Sequence, residues 1–176
     1  MRTPAHTLAV TLLLSALFAT TLPASTSDLT GAWRSAPEET SLTTDFDVSV
    51  WGKNAKAVRT VELTVGAAGE ATLTVTRKVV DARGRTVKGS TSVEQAQIVI
   101  GEAERSAATR SDRAVTVKNA ERKYPDDPGS TWSLDGLKVG VATFSDTPGT
   151  IEVRFDTPEG RGSFWETLSR GRGTKR

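Results

Sequence analysis

Two alternating runs separated by one tight turn restrict this chain to antiparallel β-structure more firmly than any other feature. Between Val58 and Val65, the residues Val61, Leu63 and Val65 fall on one side, and Thr60, Glu62 and Thr64 on the other. Gly66-Ala67-Ala68-Gly69 supplies the turn, and Ala71 to Val79 repeats the pattern with Leu73, Val75 and Val79 on its apolar side. Period-two alternation rich in β-branched residues marks a half-buried strand, and a helix cannot present such a pattern as one face. Asp81-Ala82-Arg83-Gly84 reads as the next turn.

The same pattern continues downstream. Val93 to Ile100 reads as a strand, with a short helix around Val93–Gln97 as the alternative, and Gly101 to Asp112 reads as a polar loop. Ala114 to Tyr124 is a strand ended by Pro125-Asp126-Asp127-Pro128-Gly129, and Thr131 to Leu134 is a short strand or loop. Leu137–Phe144 and Thr150–Phe155 flank the turn Asp146-Thr147-Pro148-Gly149, and Thr157-Pro158-Glu159-Gly160 leads into Gly162–Leu168. With Gly31-Ala32-Trp33 this makes about eight strands joined mostly by tight turns. The expected fold is all-β, an antiparallel up-and-down barrel whose closure removes exposed edges. The longest interruption, Arg34 to Ala57, holds Asp45, Phe46, Asp47 and Trp51. No internal repeat divides the chain.

The first residues read as an export signal. Arg2 precedes an apolar run from Leu8 to Leu22, and Pro23-Ala24-Ser25-Thr26-Ser27 offers small residues for cleavage. The run is shorter than the ~20 apolar residues a spanning helix needs, so no stable membrane anchor is expected. No cysteine follows to accept a lipid. The expected organisation is a signal over residues 1–24, one barrel domain over 25–168 and a basic disordered tail over 169–176. The expected location is periplasmic or extracellular. Export would permit disulfides, but the chain has no cysteine, so packing and hydrogen bonds alone must hold the fold. The whole chain has 23 basic and 21 acidic residues, and Arg2 leaves with the signal. The domain is then close to neutral, and no basic face for nucleic acid is implied.

The sole histidine, His6, and the sole methionine, Met1, also lie in the signal. Without His or Cys, Ser-His-Asp and Cys-His nucleophilic sites and zinc sites built on those residues are excluded. Asp45 with Asp47, and Asp126 with Asp127, are short acidic pairs in turn-forming surroundings, and the reading is turn chemistry rather than metal binding. No metal, cofactor or catalytic residue is assigned. Lys118, Arg122 and Lys123 interleave with acids and have no aromatic platform, which again argues against nucleic acid.

The segment Leu29-Thr30-Gly31-Ala32-Trp33 at the first strand of an exported, eight-stranded chain resembles the lipocalins and their relatives, the calycin group, and the start of the avidin family. The resemblance implies that Gly31 and Trp33 are structural and that Trp33 seals the closed end of the barrel. It also implies an Arg from near the last strand packed on Trp33, with Arg161 or Arg170 in position for it. The lipocalin Thr-Asp-Tyr motif has no counterpart, and the biotin-binding residues of avidins have no match. The resemblance therefore speaks to architecture and not to ligand.

The long loop after the first strand is the expected lid of the open end, because loops on a rigid scaffold carry function. Trp51 and Phe46 on it, with the inward Phe155, are the expected ligand contacts. Core packing is the default for Trp132 and Trp165. Val61, Leu63, Leu73, Val75, Val139, Val141, Ile151, Val153 and Phe155 would line a pocket or fill the barrel. The first functional reading is a monomeric, non-catalytic barrel binding a small, partly apolar ligand in the barrel or at its mouth. The alternative is a protein-interaction module, such as an inhibitor of an envelope or secreted hydrolase, acting through Arg34–Ala57 or Glu102–Asp112. A carboxylate-based enzyme ranks third.

Overall fold

The computed structural model describes residues 26–156 and 163–171. A 3-10 turn, Thr26–Leu29, leads into β1 (Gly31–Arg34), β2 (Glu38–Ser41), α1 (Asp45–Trp51), β3 (Lys56–Val65) and β4 (Glu70–Val80). There follow β5 (Ser92–Arg105), β6 (Arg110–Tyr124), β7 (Asp127–Ser133), β8 (Lys138–Phe144), β9 (Thr150–Asp156) and β10 (Ser163–Arg170). Hydrogen bonds run in the order β1-β10-β9-β8-β6-β5-β4-β3, and β1 then pairs with β3 to close the ring. The fold is a closed eight-stranded antiparallel up-and-down barrel, with β2 along β3 and β7 along β6 as two extra strands.

Alternation decides which side chains enter the barrel. Directly paired residues share a face, so Leu63 of β3, Leu73 of β4 and Ala96 of β5 form one inward row. Their neighbours Thr64, Thr72 and Gln97 form an outward row. The polar outside and apolar inside are the reverse of a barrel that faces lipid. The waist is filled: Leu63, Leu73, Val75 and Leu168 are each 0% exposed, so no water-sized space touches them. Of the nine expected inward residues, eight are buried in this core and Val139 packs against it. The interior is therefore a packed core.

Several expectations change. Arg34–Ala57 is not one open loop. Thr44 caps α1 by accepting a hydrogen bond from the Asp47 backbone N–H at 3.1 Å, and Gly52, at φ +89°, ends the helix. Gly101–Asp112 is not one loop: Gly101 to Arg105 continue β5, residues 106–109 turn the chain, and Arg110 to Asp112 begin β6. Two irregularities shift the register, one between Gln97 and Ile98 and one between Ile100 and Ala103. At the second, Gly101 and Glu102 stand opposite Ala114 alone, and a Cβ on Gly101 would meet the Ala114 carbonyl at 3.3 Å. This switch of phase hides the strand from an alternation test. Ser169 and Arg170, expected to begin the tail, are the last residues of β10 and pair with Arg34 and Trp33. Trp132 and Trp165 are 57% and 45% exposed rather than core residues. Trp132 lies on β7, outside the ring, and Trp165 has the outward phase between Phe164 and Glu166.

Candidate functional site: a cleft at the Trp33 end of the barrel

The two long strands β5 and β6 and the β8–β9 hairpin rise past the filled waist at the end where the chain enters. Between them is a cleft of about 600 Å³. Its floor is Leu29, Trp33 and Ile151, each no more than 3% exposed. Register places Ala103, Arg105, Ser111 and Arg113 on one inward face of the β5–β6 hairpin, because Ala103 opposes Arg113 and Arg105 opposes Ser111. Thr143 opposes both Ser111 and Ile151 and completes the wall.

Trp33 is fixed from two sides. Its indole Nε1 donates to the Leu29 carbonyl at 2.7 Å, which ties the strand to the 3-10 turn. The Arg170 guanidinium carbon stands 4.7 Å above the ring. Arg170 also donates to the Thr30 carbonyl at 3.2 Å and to the Asp28 carbonyl. Gly31 has φ +123°, a backbone conformation that an L side chain rarely adopts, and it lets the chain bend from the turn into β1. Arg161 lies outside the described residues.

The cleft is cationic. Arg105, Arg110, Arg113 and Arg170 line it against one carboxylate among the described residues, Asp28. Arg110 is occupied on the outer face by Asp112 at 2.8 Å and Glu152 at 3.1 Å. Arg113 is only 5% exposed. Burial lowers its pKa, and the two acids whose charge opposes that shift, Asp28 and Glu102, both stand exposed. A guanidinium nonetheless stays protonated in proteins. The result is a desolvated positive charge facing a partly apolar cleft.

No family model matches the chain, and no curated protein matches it. Among solved structures it is similar to a de novo design of a fluorescence-activating beta barrel. The likeness spans 81% of this chain and 93% of that one at 16% identity, with a TM-score of 0.32.

The opposite end of the barrel is charged but plugged. Glu94 is 0% exposed and faces inward. Its Oε1 accepts from Arg122 Nε at 3.0 Å and Nη2 at 2.7 Å, and it pairs with Arg77. Its Oε2 has no hydrogen-bond partner among the described residues. Burial alone would lower the Arg122 pKa, but hydrogen bonding to Glu94 and its charge outweigh this and hold the guanidinium more basic than usual. Arg59 pairs with Glu166 at 2.9 Å and with Glu38, and it stacks 4.0 Å over the Phe164 ring. Phe164 stacks on Phe155 with centroids 5.4 Å apart.

The expected ligand contacts are not brought together. Phe155 is 1% exposed inside this plug. Phe46 is 72% exposed on α1, which buries no side chain, and Trp51 is half-buried at its last turn. None of the three lines the cleft. The cap at Thr44 winds the segment into a helix, and Phe46 on it is left facing solvent. Three of these four acids hold the chain's own turns: Asp47 accepts from the Thr44 hydroxyl at 2.6 Å, Asp126 from the Gly89 N–H at 2.7 Å across to another turn, and Asp127 from the Ser130 hydroxyl at 2.6 Å. No cluster of three potential metal-binding side chains occurs among the described residues. The missed residues had a signal in the sequence. Arg59 and Arg77 continue the apolar phase of Val61 and Val75, Glu94 that of Ala96, and Arg113 that of Val115.

Proposed function

We propose that this is a lipocalin-like, non-catalytic barrel exported from the cytoplasm, which holds a small, partly apolar ligand in the cleft beside Trp33 without a cofactor. The observation that carries this reading is the cleft itself. It has about 600 Å³ of space, an apolar floor and a polar wall, the combination ordinary ligand pockets share. The filled waist confines the ligand to this mouth. The lack of His and Cys beyond the signal supports a binding rather than a catalytic role. Phenylnaphthylamine, a neutral probe that fluoresces in apolar surroundings, should brighten with the protein and be displaced by members of a lipid and metabolite panel. Ala103→Trp, which fills the cleft, should abolish the signal. Undiminished binding by Ala103→Trp would refute this site.

One observation favours the protein-interaction reading. β6 pairs with β8 only over Arg110–Arg113 and with β7 only over Glu121–Tyr124. Between these stretches it borders a groove of about 660 Å³ against Leu134–Val139. A partner could add an extended segment there. A defined envelope protein that co-purifies with the wild type and is lost on Asn119→Arg would support that reading.

A further inference from the structure

Resting on the ligand-binding reading of the cleft, we propose that the ligand is an amphipathic anion. Its carboxylate, phosphate or sulfonate is received by Arg113 and Arg105, and its apolar body lies over Trp33 and Ile151. Three observations carry the assignment. Arg113 and Arg105 project from neighbouring positions on one face of the β5–β6 hairpin, since their partners Ala103 and Ser111 alternate with them across the ladder. Ser111 stands beside them in the same wall and adds a hydroxyl donor suited to an anion, while Thr143 opposite it donates to the Ser111 carbonyl at 3.5 Å. Arg110, the remaining arginine of the hairpin wall, is committed to Asp112 and Glu152, so the cationic excess is directed inward.

The chemistry distinguishes this end from the other. Around Glu94 and Glu166 each inward arginine meets a carboxylate of this chain, and Phe164 and Phe155 close the space. In the cleft Arg105 donates to the Ala108 carbonyl at 3.4 Å, the acids acting on Arg113 are the exposed Asp28 and Glu102, and both arginines line open space. A charge-assisted hydrogen bond from guanidinium to an oxyanion is about twice as strong as a neutral one, and Arg presents a planar fork that suits carboxylate and phosphate. A neutral ligand of the same shape would leave that field unused.

The test uses two probes with the same rings, anilinonaphthalene sulfonate and the neutral phenylnaphthylamine. The sulfonate should bind the wild type at least about tenfold more tightly, and the preference should shrink as salt rises. Arg113→Gln and Arg105→Gln should each remove most of the preference, weakening sulfonate binding far more than phenylnaphthylamine binding. The second variant alters an exposed side chain, so it remains informative if the first does not fold. Arg154→Gln, on the outer face beside Trp165, should change neither. Equal affinity for the two probes would overturn the anion assignment and leave the ligand-binding reading intact. A preference that survives both cleft substitutions, or that falls with Arg154→Gln, would overturn the assignment to this cleft. Binding of neither probe would overturn the ligand-binding reading itself.

Discussion

Replacing Glu94 by Gln should destabilise the barrel far more than any exposed carboxylate substitution. The change conserves volume and leaves an oxygen for one guanidinium, so it isolates the loss of charge. Removing one partner of a buried ion pair costs about 3–5 kcal/mol, because the other charge stays desolvated. Here the carboxylate is 0% exposed, but the side chains of Arg77 and Arg122 keep 33% and 18% exposure and can recover some hydration. The loss is therefore expected near the lower end, about 3 kcal/mol. With a urea slope of about 2 kcal/mol/M, typical of a small domain, the midpoint should fall by about 1.5 M with the slope unchanged. Glu62→Gln supplies the comparison. Its pair with Arg34 is 46% and 67% exposed, so the loss should stay below about 1 kcal/mol. Tryptophan fluorescence across a urea titration measures both. If Glu94→Gln and Glu62→Gln shift the midpoint equally, the inward placement of Glu94 is wrong, and so is the account of the plugged end.

Three further outcomes follow from the geometry. Leu73→Ala removes a fully buried side chain from the waist and should cost about 2–5 kcal/mol in the same assay. A smaller loss would mean that the interior is not packed. Arg170→Ala removes the stack on Trp33 and two hydrogen bonds to the carbonyls that hold the 3-10 turn, and about 2 kcal/mol is expected. Hydrogen exchange should then rise at Leu29–Trp33 before it rises in β3, and uniform acceleration would contradict a local clasp. Asp112 has its pKa held low by a hydrogen bond from Arg110. The unfolded chain thus takes up the proton more readily, and the contribution is present above about pH 4 and lost as pH falls through the folded value. Asp112→Asn should flatten the acid limb of the stability curve, whereas parallel curves would rule the contribution out.

The strands were most legible where a side chain's polarity agreed with its face. β3, β4 and β9 alternate cleanly, and the structure places Val61, Leu73 and Ile151 inward as the pattern requires. Legibility failed where polarity and face part company. Glu94 interrupts the apolar side of β5, and the register shift at Gly101 reverses the phase, so the segment that walls the cleft reads as loop. α1 has no such signature, because a seven-residue helix with no buried side chain has no hydrophobic period. Its signal is local, in Thr44 capping Asp47. Arg170 is offered as the partner of Trp33 by the resemblance alone, and the local pattern puts it in a basic tail, since nothing local shows that β10 reaches back to Trp33. The cleft needed three segments far apart in the chain, and only the closed ring brings the 3-10 turn, the β5–β6 hairpin and the β8–β9 hairpin together.

Salt separates the roles of the two charged ends. Solvent ions screen exposed charges across a Debye length of about 10 Å at 0.1 M and about 3 Å at 1 M, and they reach a buried pair far less. The destabilisation from Glu94→Gln should therefore persist in 1 M sodium chloride, because no solvent touches the carboxylate. Glu62→Gln should become neutral under the same conditions. Anion affinity at the Trp33 end should fall steeply over that range, since the cleft opens to solvent and Arg105 is exposed. One set of titrations thus tests whether the same inward phase of arginines was used twice. At one end Glu94 and Glu166 pair with it away from bulk solvent, and at the other it borders a cleft open to solvent. If salt abolishes the Glu94 effect as readily as the anion affinity, both ends are solvated and that division of roles fails.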